Sequence, residues 1–161
     1  MMVRKKLVRQ LFIFGFTVFL FSGCVPDSDK NDCIKNVYKM KDEINLRNSG
    51  IDPVEAGLFL CEIKRIVREN LKDQLAEIMY YPQSVFVDDK MVMIENKEEF
   101  IHHYDEIINA YIRDAVEKQT FSDLFSTSEG IMIGEYGAIW IIKNLDIGKM
   151  QIFKINNRQV N

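Results

Sequence analysis

The chain has 161 residues, of which 47% are hydrophobic and 28% charged, with 21 basic against 24 acidic side chains and a formal net charge of −3. That length suits one ordinary domain with enough chain for a real core. No basic stripe offsets the acidic balance, and a negative chain repels phosphate backbones, so nucleic acid is not an expected partner.

At the N-terminus Arg4, Lys5, Lys6 and Arg9 precede an apolar run, Leu11–Phe21, that closes on Ser22-Gly23-Cys24. A basic start, a short greasy core and small residues at its end make a secretion signal. Crossing the hydrocarbon of a bilayer takes about 20 apolar residues, more than this run holds. Phe21-Ser22-Gly23-Cys24 resembles the lipobox of bacterial lipoproteins, with Phe21 where Leu is usual. In that family signal peptidase II cuts before a cysteine that already carries diacylglycerol. The resemblance implies that residues 1–23 are removed, that Cys24 carries the lipid (diacylglycerol and palmitate-type chains), and that these chains are the partner of a membrane. Burying them gains about 0.8 kcal/mol per CH₂. An exported, lipid-anchored cell-envelope protein follows. In a Gram-negative cell, Val25 rather than Asp after the cysteine marks the periplasmic face of the outer membrane. All four basic residues of the signal leave with it, so 17 basic residues remain against 24 acidic ones, a mature charge of −7.

Three cysteines are odd for an exported chain. With Cys24 lipidated the count becomes even, and export places Cys33 and Cys61 where disulfides persist. Their pairing would tie the first mature helix to the second and contribute about 3 kcal/mol. The alternative is that Cys61 is a small buried apolar residue. No Cys and His spacing fits zinc, and no cofactor motif is present.

Residues 24–31 read as a short polar tether to a single domain over 32–161. Asp32 can cap a helix over Cys33–Arg47 with Ile34, Val37, Tyr38 and Ile44 on its apolar side, ended by Asn48-Ser49-Gly50. Asp52-Pro53-Val54-Glu55 opens a second helix with a cap, a proline at N1 and a capping box. Leu60, Ile63, Val67, Leu71, Leu75 and Ile78 carry it to Pro82 at helical spacing, with a bend expected near Asn70. Gly57 inside it predicts close packing against a neighbour. Ser84–Asp88 and Met91–Glu95 predict a hairpin around Asp88-Asp89-Lys90. Asn96 and Glu99 start a third helix, with Phe100, Tyr104, Ile107, Ile108, Tyr111 and Ala115 on one face through Lys118. The period then changes to two, predicting strands at Phe121–Ser126, Gly130–Gly134, Gly137–Asn144 and Met150–Asn156. Helices, a hairpin, a helix and a run of strands spell α+β, with about three helices against a curved antiparallel sheet.

The stretch Tyr81-Pro82 to Val116, including Ile94-Glu95-Asn96-Lys97-Glu98-Glu99-Phe100 and Tyr104-Asp105-Glu106-Ile107, resembles a bacterial group of secreted proteins. So do Leu124-Phe125, Gly130-Ile131-Met132-Ile133-Gly134 and Gly137-Ala138-Ile139-Trp140. That group is read as part of the nuclear transport factor 2-like superfamily. The resemblance covers about residues 53–156 and implies a cone of bent sheet wrapped by helices around a pocket, often dimeric through the open sheet face. Asp89-Lys90 stands where Gly-Lys is usual, and Ala138 where an acid is common, so no acid-dependent function is carried over.

The residues themselves offer two sets of candidates. His102, flanked by His103, with Asp105 and Glu106 one turn on, is the only local acid–base cluster, and its charges also suit a solvated rim. Tyr104, Tyr111, Tyr136 and Trp140 suit a pocket lining, because a flat ring packs while its polar tip orients a ligand; at this spacing they also suit a plain core. Met91, Met93, Met132 and Met150 gain meaning only if they cluster on one open face. No Ser-His-Asp order or phosphate loop is present. The leading reading is a non-enzymatic binding module for an envelope protein partner or a small apolar ligand. The alternatives are an immunity or inhibitor protein against a basic periplasmic toxin or hydrolase, and a small isomerase, dehydratase or hydrolase using His102 or Asp105 as base.

Overall fold

The computed structural model describes residues 28–42 and 44–158. The signal run, the lipobox and Cys24 lie outside them. The described chain is α+β: six helices and two antiparallel sheets that do not close into a barrel.

Helix α1 spans Ser28–Met40, so it starts before the expected cap at Asp32 and ends well short of Arg47. Past it, the Asn45 side chain accepts the Arg47 N–H at 3.2 Å, and Leu46 enters the core from an irregular segment. Helix α2 (Pro53–Arg68) begins as read: Asp52 Oδ1 accepts the Glu55 N–H at 3.0 Å and Pro53 sits in the first turn. The Glu55 carboxylate does not complete a box, however, because Lys143 takes it at 2.7 Å. The expected bend near Asn70 is a full stop. Asn70 turns left-handed at φ 57°, Leu71 donates back to the Ile66 carbonyl at 2.9 Å, and α3 (Lys72–Glu77) sets off in a new direction.

Helices α1 and α2 are joined by the Cys33–Cys61 disulfide, with Cα atoms 6.0 Å apart. Closing that loop limits the unfolded chain and is worth about 3 kcal/mol. One turn on, α1 presses on the glycine that the sequence singled out. A Cβ at Gly57 would lie 2.7 Å from both methyls of Val37 and 2.7 Å from Phe121 Cε2. That glycine lets α1 and the chain ahead of the sheet touch α2 at one point.

The hairpin is as expected within a residue: β1 (Gln83–Val87) pairs with β2 (Lys90–Ile94) across Asp88 and Asp89, both left-handed at φ 48° and 59°. The single helix expected from Asn96 is instead three pieces, α4 (Lys97–His102), α5 (Tyr104–Ile107) and α6 (Ala110–Lys118). Asn96 does cap the first, accepting the Glu99 N–H at 3.0 Å. The restart belongs to Asn109, whose side chain accepts the Ile112 N–H at 3.1 Å. This break shifts the helical phase. Phe100, Tyr104, Ile107 and Ile108 are buried as the pattern requires, but in α6 Ile112 and Val116 take the core, and Tyr111 and Ala115 turn to its margin.

The main sheet is a meander, β3 (Phe125–Thr127), β4 (Gly130–Ile133), β5 (Ile139–Asn144) and β6 (Lys149–Ile155), paired in that order. Its first strand starts four residues later than read, because Phe121–Leu124 forms a turn held by the Leu124 N–H on the Phe121 carbonyl. Alternation puts Ile131, Ile133, Ile139, Ile141 and Ile152 on one face, each fully buried, in the same cluster as Ile112 and Val116. Met132, Trp140 and Phe153 stand half-buried on the other face.

The free edge of β6 is covered by the chain after α3, where Tyr80 donates to the Ile152 carbonyl and Ile152 to that of Ile78, each at 2.8 Å. Asn157 then docks the hairpin. Its side-chain oxygen accepts the Phe86 N–H at 2.9 Å, and its amide donates to the Phe86 carbonyl at 2.6 Å and to that of Glu106 at 3.3 Å.

Two substitutions test this packing. Gly57→Ala gains about 1 kcal/mol of helix propensity but overfills a closed contact at a cost of about 1–3 kcal/mol, so urea unfolding should show a net loss. Asn157→Ala strands the Phe86 N–H and carbonyl and should lower the unfolding free energy by about 2–3 kcal/mol, with amide exchange quickening first in the hairpin.

Candidate functional site

Helix α6, strands β3 and β4, and the turn into β5 surround an open cleft of about 840 Å³. Its floor exists because two facing residues are small. At Gly134, φ 81°, an added Cβ would sit 3.0 Å from that of Ala115 on α6 and 3.1 Å from that of Ala138. The Gly134 N–H donates to Gln119 Oε1 at 2.7 Å, and Gln119 is itself buried, so the turn is pinned to the end of α6.

Tyr111 from α6, Tyr136 from the turn, Phe125 from β3 and Met132 from β4 form the walls. Phe125 and Met132 are register partners, which brings both to one side of the sheet. Burial, and secondarily the nearby Tyr136 hydroxyl, raise the Tyr111 pKa above its ordinary value of 10.0. Charged groups rim the opening: Asp114, Asp123, Glu135 and Lys118. Lys118 Nζ lies 2.8 Å from Asp114 Oδ2. That bond and the charge of Asp114, with Glu135 adding to them, hold the ammonium above the usual lysine pKa. Asp123 is steadied by its own turn, accepting hydrogen bonds from Thr120 and Ser122.

Of the four aromatic candidates, Tyr111 and Tyr136 meet in this cleft. Tyr104 does not: it is fully buried under α3 and α6, edge-on to Phe100, with Lys72 Nζ 5.0 Å and Arg113 Cζ 5.7 Å from its ring centre. Burial raises its pKa, and the charge and side-chain hydrogen bond of Arg113 oppose this. Trp140 is the register partner of Met132 but is not part of the lining. Its indole folds over Gly137, where a Cβ would lie 2.5 Å from Nε1, and meets Phe153 edge-on at 6.2 Å.

The acid–base cluster is rearranged by the break at His103. His103, rather than His102, meets Glu106, at 3.1 Å, while His102 only touches the His103 ring. Asp105 faces cations, 2.7 Å from Lys72 and 3.9 Å from Arg113. Neither His102 nor Asp105 lines the cleft. The methionines are scattered: Met91 and Met93 are exposed on the hairpin, Met150 is buried, and Met132 alone of the four reaches the site.

Asp114, Lys118, Phe125 and Glu135 were not legible as site residues. Asp114 lies three residues from Tyr111 and Glu135 is next to Tyr136, while Lys118 and Phe125 adjoin no candidate aromatic, and proximity along the chain does not show which face a side chain takes. Chemically the cleft offers ring faces and carboxylates at an open, hydrated rim. That equips it to bind and leaves no carboxylate aimed at a dry reaction centre.

Comparison of the chain with protein-family models, with curated proteins and with solved structures finds no match.

Tyr104, fully buried, and Tyr81 and Tyr111, partly buried, set a pH dependence. Burial raises the pKa of Tyr81, Tyr104 and Tyr111 above 10.0, so the folded chain keeps these protons where the unfolded chain releases them. Stability is therefore complete below that value and falls as pH rises past it. Urea unfolding at increasing alkalinity should show the decline, and absorbance titration should show phenolate appearing later in the folded protein than in the unfolded one.

Proposed function

We propose that this protein is a lipid-anchored, non-enzymatic binding module of the bacterial cell envelope that holds a segment of another envelope protein in the cleft beside α6. The observation that carries the reading is the convergence of Tyr111 and Tyr136 with Phe125 and Met132 on one standing cleft, while His102 and Asp105 lie elsewhere. Its volume of about 840 Å³ falls in the range of ligand sites. A protein segment suits it better than a small apolar ligand. The inner sheet face is filled by isoleucines, and the cleft that remains is open and rimmed by charge. The sheet with helices packed on one face is read as the cone of the nuclear transport factor 2-like superfamily. The location rests on the signal run and on Cys24.

Two experiments test the two halves of this reading. Cys24→Ser should leave the membrane fraction and lose incorporated palmitate; unchanged fractionation and mobility would remove the anchor. A photo-reactive phenylalanine at position 136 should cross-link one discrete envelope protein, whereas the same group in place of Tyr38, exposed on α1, should not. Equal labelling from both positions would remove the cleft.

A further inference from the structure

We propose that the cleft receives a cationic side chain, the guanidinium or ammonium group of a basic segment on the partner protein. The inference rests on the cleft being the binding site and names the chemistry of what enters it.

Three features select a cation. The rim carries Asp114, Asp123 and Glu135 against Lys118 alone, so the opening is net negative on a chain that is itself acidic. Beside those carboxylates, Phe125 and Tyr136 leave 58% and 64% of their surfaces in water, and ring faces attract cations. A purely apolar ligand would use the rings but strip water from the carboxylates without replacing their hydrogen bonds, which is costly. An anion would be repelled. An arginine or lysine serves both parts, laying its aliphatic stem on Met132 and the rings while its head faces Glu135 and Asp123.

The chain also shows that an ammonium fits there. Lys118 already stands at this rim, 2.8 Å from Asp114 and within the field of Glu135. Its side chain is 75% exposed, so the pair is weak and readily exchanged. A partner cation with more apolar surface to bury would displace it. The size and openness of the cleft favour a segment over a free amine, since one side chain fills only part of it.

The test uses the full-length protein in non-ionic detergent, titrated with a nonapeptide containing three arginines. Controls are the same peptide with citrulline or glutamate at those positions, and free arginine amide. Citrulline keeps the shape of arginine and removes its charge. The arginine peptide should bind, shift the Met132 methyl signal and weaken with added salt. Glu135→Gln should weaken it about three- to fivefold, and Lys118→Met should tighten it by a similar factor, with citrulline binding indifferent to both. Thermal unfolding checks that both variants fold; each change lies on the exposed rim.

Citrulline or glutamate peptides binding as well as arginine would overturn the cation, and so would a Lys118→Met variant that binds arginine no better. Arginine amide binding as tightly as the peptide would overturn the protein segment. If no peptide binds while position 136 still cross-links a discrete partner, the cationic class falls and the binding module stands. If neither occurs, both fall.

Discussion

The amide side chain of Asn157 holds together parts of the molecule that share no continuous hydrogen-bonded ladder. It pairs with the N–H and carbonyl of Phe86 as a neighbouring strand would, and reaches the Glu106 carbonyl at the end of α5. Its own backbone carbonyl accepts from Asn109, the residue that caps α6, at 2.7 Å. The hairpin, the break between α5 and α6 and the last residues of the sheet thus meet at one point. A buried amide left without these partners would cost more than each bond gains, which makes the junction all-or-none. Where α6 begins, and which of its sides faces the sheet, follows from it.

That placement explains the cleft. Had the helix run unbroken from Asn96, Tyr111 and Ala115 would continue the buried stripe begun by Phe100 and Tyr104. The new start at Asn109 rotates the stripe, so Ile112 and Val116 enter the core and Tyr111 swings to the rim. Ala115 then meets Gly134, and two residues with almost no side chain leave the space that larger ones would close. At the other end of α2 the opposite logic applies. Gly57 is a point of contact rather than of space, letting Val37 and Phe121 close on the helix backbone, with the Cys33–Cys61 disulfide fastening α1 beside it.

The charged residues divide in the same way. Around Tyr104, Lys72 and Arg113 share the one carboxylate of Asp105 and cover a fully buried ring. Around Tyr111 and Tyr136, the single ammonium of Lys118 faces more acid than it can balance, beside rings that remain wet. Similar residue types make a core at one place and an open cleft at the other, and the difference is the local balance of charge and exposure.

Much of the fold could be read from residue order. Proline and aspartate opened α2, alternation gave the strands, and Gly57 announced a close contact, because each is a local preference of the backbone or a period of apolar side chains; at Asn70 a bend was legible but not the full stop found there. Even the Cys33–Cys61 bond followed from counting thiols in a chain read as exported. The early end of α1 carried no signal in the sequence, and the three-way division after Asn96 and the turn over Phe121–Leu124 were not legible, since they depend on the Asn109 side chain choosing partners and on Phe121 lying against Gly57. Of the site, only the presence of Tyr111 and Tyr136 was visible, without their meeting. Alone, the amino-acid order determined the main element types, the thiol pair and the acidic balance. Only tertiary structure decided that Tyr104 is core while Tyr111 lies at its margin, because helical phase after a break is set by contacts distant in the chain.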